Sequence, residues 1–97
     1  MTTLEKIKSI LIEYGNASLS YGMELRNGDW IKCDPRRGLF WYCKLHNASS
    51  TNAGYTEEVI NEKDESFLQG ILKKLKKLAL YEEHKAYWNK VQNLQTL

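Results

Sequence analysis

The chain has 97 residues, of which 42% are apolar and 27% charged, and its formal net charge is +2. A chain of this length can bury one core, so we expect a single domain over residues 1–97. The apolar and aromatic content excludes a disordered protein, and no apolar run approaches the roughly 20 residues of a membrane span. A secretion signal is not evident, and with two cysteines this favours free thiols in a cytoplasmic protein.

Residues 3–14 are predicted to form a helix. Thr2 followed by Glu5 has the pattern of a capping box, in which the two side chains bind amide groups left unpaired by the first turn. Gly15 favours an end of the helix there, because glycine tolerates the left-handed conformation of many helix ends. The apolar residues at helical spacing are Leu4, Ile7, Leu11 and Tyr14.

The next segment is predicted to be a β-hairpin, because alternating apolar residues flank an Asn-Gly dipeptide. A two-residue loop would mix apolar and charged side chains on both faces. A three-residue loop with Gly28 in a left-handed conformation makes one face consistently apolar. That loop pairs Met23 with Ile31 and Tyr21 with Cys33, and it is the register that we predict.

Residues 39–46 are predicted to form a third strand after the turn Asp34-Pro35-Arg36-Arg37-Gly38. Successive side chains of a strand point to opposite faces. We expect the odd-numbered residues to join the apolar face of the hairpin. They are Leu39, Trp41, Cys43 and Leu45, and the residues left on the other face are Phe40, Tyr42, Lys44 and His46.

The following segment is less defined. Residues 47–56 are polar and indicate a loop, and residues 57–63 are consistent with either a short helix or an extended segment. The element order, α-β-β-β-α with an optional further helix, predicts an α+β domain. Its three-stranded antiparallel sheet would be packed against helices.

The last third of the chain is predicted to be helical, with Asp64 or Ser66 as its cap. The pattern weakens at Glu82-Glu83, so either one helix continues to about residue 95 or a second helix begins near Glu82. The apolar stripe consists of Leu68, Ile71, Leu72, Leu75 and Leu78.

A single layer of helices covers only one face of a sheet, so we expect the other face to be open. Contiguous exposed apolar area usually marks an interaction site. We therefore predict a small non-enzymatic module that acts through protein–protein contact, such as an accessory or inhibitor protein. The candidate partner-binding residues are Trp30, Phe40, Tyr42, Lys32, Lys44, Arg36 and Arg37.

Two alternatives remain open for this face. Single-stranded nucleic acid would stack its bases on Phe40 and Tyr42, while the neighbouring cations and the basic last helix meet phosphates. The other alternative is a sheet covered on both faces, in which these rings belong to the core.

The last helix carries two further candidate surfaces. One is a basic patch opposite its apolar stripe, which could meet an anionic partner. It consists of Lys73, Lys74, Lys76 and Lys77. The other is a set of apolar residues near the C-terminus that could form a homodimer contact. These are Tyr87, Trp88, Val91 and Leu94.

We expect no catalytic site, cofactor, metal centre or membrane association. Cys43 and His46 have Cys-x-x-His spacing, but on a strand they would point to opposite faces. Glu82-Glu83-His84 lacks the second histidine of a zinc-protease helix, and no glycine-rich phosphate loop is present.

Overall fold

A computed structural model of the protein describes the backbone of residues 1–17, 21–46 and 54–95 and the side chains of residues 1–15, 21–46 and 54–86. The elements in chain order are α1 (Thr3–Tyr14), β1 (Asn16–Ala17), β2 (Tyr21–Glu24), β3 (Trp30–Asp34), β4 (Leu39–His46), β5 (Gly54–Val59) and α2 (Glu65–Gln95). The fold is therefore α+β, with antiparallel strands arranged in sequence order from β1 to β5.

The sheet is larger than the three strands predicted. Four of its described strands have four or more residues, and β1 is a two-residue segment paired to β2 at the edge. The additional full strand is β5, which pairs with β4. Its residues 57–59 belong to the segment that the sequence left open, which is extended there but forms a turn over residues 61–63. Its residues 54–56 belong to the predicted loop, so the loop prediction is wrong for them.

The boundaries predicted for α1 are confirmed. The hydroxyl oxygen of Thr2 accepts a hydrogen bond from the Glu5 amide at 3.1 Å and caps the first turn. The left-handed end predicted at Gly15 is wrong, because Gly15 has a φ of −82°. Close approach explains the glycine instead: a Cβ there would lie 2.3 Å from the carbonyl oxygen of Leu11 and 2.9 Å from that of Gly22.

The predicted hairpin register between β2 and β3 is confirmed. Met23 pairs with Ile31 and Tyr21 pairs with Cys33. Gly28 has a φ of +90°, the left-handed conformation that the three-residue loop requires. This register places Met23, Ile31 and Cys33 together in the buried core.

The predicted phase of β4 is wrong. Cys33 pairs with Phe40 and Ile31 pairs with Tyr42, and paired residues share a face of the sheet. The even-numbered side chains of β4 therefore face the helices, and Phe40 is only 6% exposed within the core. We call this helix-covered side the inner face and the opposite side the outer face.

The turn between β3 and β4 sets this phase. Asp34 pairs with Leu39, so the loop has an even number of residues, whereas the predicted phase required an odd number. The Asp34 carboxylate accepts hydrogen bonds from the Arg36 amide at 3.1 Å and from the Arg37 Nε at 2.8 Å. Gly38 completes the turn with a φ of +65°. The strand itself could not decide between phases, because both of its faces begin with large apolar residues.

Both helices pack on the inner face. They run in the same direction, since the Thr3 hydroxyl donates to Glu65 and the Tyr14 hydroxyl donates to Glu83. The alternative of a sheet covered on both faces is therefore not observed in the described part of the chain. The buried cluster consists of Ile7, Leu11, Met23, Leu25, Ile31, Cys33, Phe40, Ile60, Leu68, Ile71, Leu72 and Leu75.

The last helix is continuous, as one of the two predicted alternatives requires. It begins after Asp64, whose carboxylate accepts a hydrogen bond from the Phe67 amide at 2.8 Å. At 31 residues it is about 46 Å long and extends past the sheet. Leu80 and Tyr81 are 66% and 59% exposed, so the core ends near Ala79. Neither described helix combines the length and apolarity that crossing a membrane would require.

Candidate functional site

The outer face carries aromatic and aliphatic side chains that no described helix covers. Because β3, β4 and β5 are paired in register, alternate residues of the three strands meet on this face. Tyr55 and Val59 are 43% and 46% exposed, and Trp30 and Trp41 are half-buried. We define the outer face by Trp30, Lys32, Trp41, Leu45, Tyr55, Glu57 and Val59.

Trp30 and Tyr55 are joined across the sheet. The indole Nε1 of Trp30 donates a hydrogen bond to the Tyr55 hydroxyl at 3.2 Å. The indole lies beside Gly22 of β2, where a Cβ would be 3.5 Å from the ring, an ordinary van der Waals distance. The two rings are thereby held in defined positions while part of each stays accessible.

Trp41 is flanked by two cations. The Lys32 ammonium lies 5.2 Å and the Arg37 guanidinium 5.9 Å from the centroid of its ring. Each cation also has an acidic partner: Lys32 pairs with Glu57 at 2.5 Å, and Arg37 pairs with Asp34 at 2.8 Å. The positive charges nearest the aromatic rings are therefore balanced by carboxylates.

The structure divides the sequence-predicted binding residues between two faces. Trp30 and Lys32 lie on the outer face, and Arg37 reaches it from the adjoining loop. Arg36 is exposed in the same loop. The other three belong to the inner face, so the predicted exposure of Phe40 and Tyr42 opposite the helices is wrong. They are Phe40, Tyr42 and Lys44.

The outer-face residues that the sequence interpretation missed are Trp41, Leu45, Tyr55, Glu57 and Val59. The wrong strand phase places Trp41 and Leu45 in the core. Tyr55 lies in the segment predicted to be a loop, and Glu57 and Val59 lie in the segment left open between a helix and an extended chain. A loop with an even number of residues between β3 and β4 would have predicted Trp41 on the outer face.

Tyr42 joins the sheet to α2 and to the hairpin. Its ring makes an edge contact with Phe67, with centroids 6.4 Å apart and an interplanar angle of 61°. Its hydroxyl donates to the buried carboxylate of Asp29. Burial, followed by the hydrogen bond with Asp29, raises the pKa of Tyr42. The phenol is therefore a neutral structural donor at physiological pH.

Asp29 is one of two polar side chains in the described buried set, and the sequence interpretation assigned it no role. Besides the Tyr42 hydroxyl, it accepts hydrogen bonds from the Leu45 amide at 2.8 Å and from the Asn27 side-chain amide at 3.0 Å. These donors lower the pKa of Asp29, with the Tyr42 hydroxyl contributing most. The carboxylate replaces strand pairing where β4 continues past Trp30, the first residue of β3.

Two clefts lie beside α2 on the inner face. The larger one, of about 490 Å³, separates the ends of β4 and β5 from the helix, and its lining includes Tyr42, Lys44, His46, Phe67, Ile71 and Lys74. The smaller one, of about 290 Å³, lies at the β2–β3 turn and is lined by Leu25, Arg26, Asn27, Lys74, Lys77 and Leu78. Lys74 borders both clefts, so they adjoin, and we call them together the basic groove.

The predicted basic patch on α2 is spread around the helix. Lys74 borders the basic groove, and Lys73 and Lys76 line a shallow depression on the other flank with Leu80, while Lys77 borders both. None of the four makes an ion pair within the described residues.

Both cysteines are free and buried. Cys33 faces inward and Cys43 outward, and burial raises the pKa of each thiol. His46 lies on the face opposite Cys43, as the alternation of the strand predicts. In residues 1–17, 21–46 and 54–95, no group of three or more His, Cys, Asp or Glu side chains is placed to hold a metal ion. The side chains predicted for a dimer contact, from Tyr87 to Leu94, lie outside the described residues.

Comparison of the chain with protein-family models, curated protein sequences and solved structures finds no match.

Proposed function

We propose that the protein is a non-enzymatic binding module whose outer face docks against another protein. The observation that carries the proposal is the aromatic surface of Trp30, Trp41 and Tyr55 on the side of the sheet opposite both helices. Aromatic side chains are effective anchors, because they bury a large area at little cost in rotamer freedom.

The charges around these rings favour a protein partner over a nucleic acid. The Lys32–Glu57 and Arg37–Asp34 pairs make the surface nearly neutral. A phosphate backbone would have to compete with these carboxylates for each cation and would be repelled by them. A protein surface with an apolar centre and polar groups of both signs at its rim is the complementary ligand.

The free edge of the sheet supports docking through side chains instead of strand addition. β5 is the edge strand, and Glu57 and Glu58 project from its two faces. Charged side chains on an edge strand discourage the pairing of a further strand. Tyr55 and Val59 extend the apolar area of the outer face to this edge.

The experiment compares the same substitution, tyrosine to serine, at two exposed positions. Tyr55→Ser removes an exposed ring from the outer face, and Tyr81→Ser removes an exposed ring from α2, away from the sheet. Partners are captured from an extract of cells that produce the protein, then purified and titrated by calorimetry. We expect Tyr55→Ser to weaken binding by at least about ten-fold, with Tyr81→Ser unchanged, and the heat capacity of binding to be negative.

A partner whose affinity is equally insensitive to Tyr55→Ser and to Trp30→Ala would contradict docking on the outer face. Sedimentation of the purified protein tests whether the occupant is a second copy. A dimer that Tyr55→Ser dissociates would replace the proposed partner with the protein itself. Amide exchange in the complex should show protection in β4 and β5, since their backbone underlies the contact.

A further inference from the structure

We infer that the basic groove on the inner face binds single-stranded nucleic acid, at a site separate from the outer face. The groove has Lys44 on β4, Arg26 at the β2–β3 turn, and Lys74 and Lys77 on α2. Its cations approach a common space from three different elements, whereas a solvated helix face would present them from one.

The groove cations differ from those of the outer face in lacking partners. None of Arg26, Lys44, Lys74 and Lys77 makes an ion pair with a described residue. Residues 66–81 of α2 contain no acidic side chain. Glu58 lines the larger cleft but pairs with Lys63 at 2.6 Å, and the carboxylate of Asp29 nearby is buried and already accepts several hydrogen bonds. Lys44 contributes to lowering the pKa of Asp29, so this carboxylate offsets part of the charge, and the groove offers an excess of positive charge to an anion.

The floor of the larger cleft provides an aromatic surface. Phe67 is 38% exposed and rests edge-on against the half-buried ring of Tyr42, with Ile71 beside them. The Lys63 ammonium lies 5.6 Å from the centroid of the Phe67 ring and adds a cation beside it. Nucleic-acid bases stack on exposed rings of this kind, while their phosphates contact nearby Lys and Arg side chains. Inorganic anions or a chain of glutamates would use the lysines but not the exposed ring.

The dimensions favour a single strand. Phe67 and Lys77 are ten residues apart on one helix, so the groove extends about 15 Å along α2. Its larger cleft is open to solvent and has a volume of about 490 Å³ between the helix and the sheet. A duplex holds its bases paired inside a convex rod and cannot bring a base to Phe67, whereas an unpaired strand can lie in the cleft with a base turned toward the ring.

The probe is a fluorescein-labelled oligothymidylate of about twelve nucleotides, titrated by fluorescence anisotropy. With four lysine and arginine contacts, log K should fall with log salt concentration with a slope of about −3. Lys74→Gln combined with Lys77→Gln should reduce the slope by about 1.4 and weaken binding at low salt. Phe67→Leu should weaken binding about ten-fold through lost stacking while leaving the slope unchanged.

The matched control is Lys73→Gln combined with Lys76→Gln, which removes the same charge from the other flank of α2. It should change affinity several-fold less than the groove pair. Equal losses for the two pairs would overturn the inference, because binding would then follow net charge alone. No binding at low salt would also overturn it, as would equal competition by oligoglutamate of matched charge, which would assign the groove to an acidic protein. Tyr55→Ser on the outer face should leave oligothymidylate binding unchanged, so this result stands or fails independently of the proposed protein contact.

Discussion

The hydroxyl of Tyr42 donates a hydrogen bond to the carboxylate of Asp29, and this contact ties the inner face of β4 to the β2–β3 hairpin. The same carboxylate accepts a hydrogen bond from the Leu45 amide at 2.8 Å. This amide has no strand partner on β3, because that strand begins at Trp30. The Asp29 side chain therefore continues the hydrogen bonding of β4 past its last backbone pair with β3. Two of its partners, Tyr42 and Asn27, line the larger and the smaller cleft of the basic groove.

Tyr42→Phe keeps the ring against Phe67 and removes only the hydroxyl. We expect the free energy of unfolding to fall by about 1–2 kcal/mol, because a buried charged acceptor loses one donor. Urea denaturation measures the change. Tyr21→Phe is the control, since its hydroxyl makes no hydrogen bond with a described residue, and its effect should stay within about 0.5 kcal/mol. Equal effects of the two exchanges would show that the Asp29 contact contributes nothing.

The stability of the protein should depend on pH through Asp29. Its pKa is lowered in the folded state, so folding favours the charged form. The resulting stabilisation is complete above the unfolded-state pKa of about 3.9 and is lost as pH falls through the lowered folded-state value. Urea denaturation of wild type and Asp29→Asn across this range should show a difference in stability that shrinks below about pH 4. A difference that stays constant with pH would contradict a charged Asp29 in the fold.

Phe40 and Tyr55 provide a test of the phase of the sheet. Phe40 is 6% exposed on the inner face, whereas Tyr55 is 43% exposed on the outer face. Phe40→Ala should cost about 3–5 kcal/mol of stability through the cavity that it leaves. Tyr55→Ala should cost about 1 kcal/mol or less. If Phe40→Ala does not fold, Phe40→Leu should still be more destabilising than Tyr55→Ala, and the reverse order would contradict the observed phase.

Three glycines allow backbone strain and steric contact to be separated. Gly28 and Gly38 both have positive φ, but a Cβ on Gly28 would lie 2.8 Å from the Leu45 side chain, whereas one on Gly38 would meet nothing within 4 Å. Gly38→Ala should therefore cost about 1 kcal/mol and Gly28→Ala more. Gly70→Ala, at an unobstructed position within α2, should raise stability by about 0.5–1 kcal/mol. Thermal denaturation of the three variants measures their stabilities, and any other ranking would contradict this assignment of strain and steric contact.

Tyr14 reports on the part of α2 that extends past the core. Its hydroxyl donates to Glu83, and this hydrogen bond is the main cause that raises the pKa of Tyr14 to about 12. A titration followed by NMR of the tyrosine Cζ should give that value in the wild type. Glu83→Gln should lower the pKa towards that of a free tyrosine, and an unchanged value would show that α1 and this turn of α2 are not in contact.

Local signals were sufficient for much of the fold. Thr2 caps α1 as predicted, Asp64 is one of the two caps predicted for α2, and the glycine after Asn27 set the register of the first hairpin. In each case the deciding interaction lies within a few residues, so the pattern contains the physical cause. The continuous α2 was one of two open alternatives, because the apolar stripe that defines a helix fades beyond the core.

The composition of the candidate site depended on how β4 pairs with β3, which the residues of β4 alone do not determine. From residues 39–46 alone, Phe40 and Trp41 compete as core residues of similar size, and either phase buries large apolar side chains. The Asp34-stabilised turn resolved the choice by imposing an even-numbered loop. As a result the aromatic outer face exists as expected, but with Trp41 and Tyr55 in place of Phe40 and Tyr42.

The amino-acid sequence by itself determined the α+β class, the first hairpin and the bounds of α1, because capping, periodicity and turn conformation act between near neighbours. Only the tertiary structure decided which side of β4 meets the helices, added β5 to the sheet, and determined which lysines of α2 border the basic groove. Those outcomes depend on pairing and packing between segments distant in sequence, where the free energy of burying one face competes with that of burying the other.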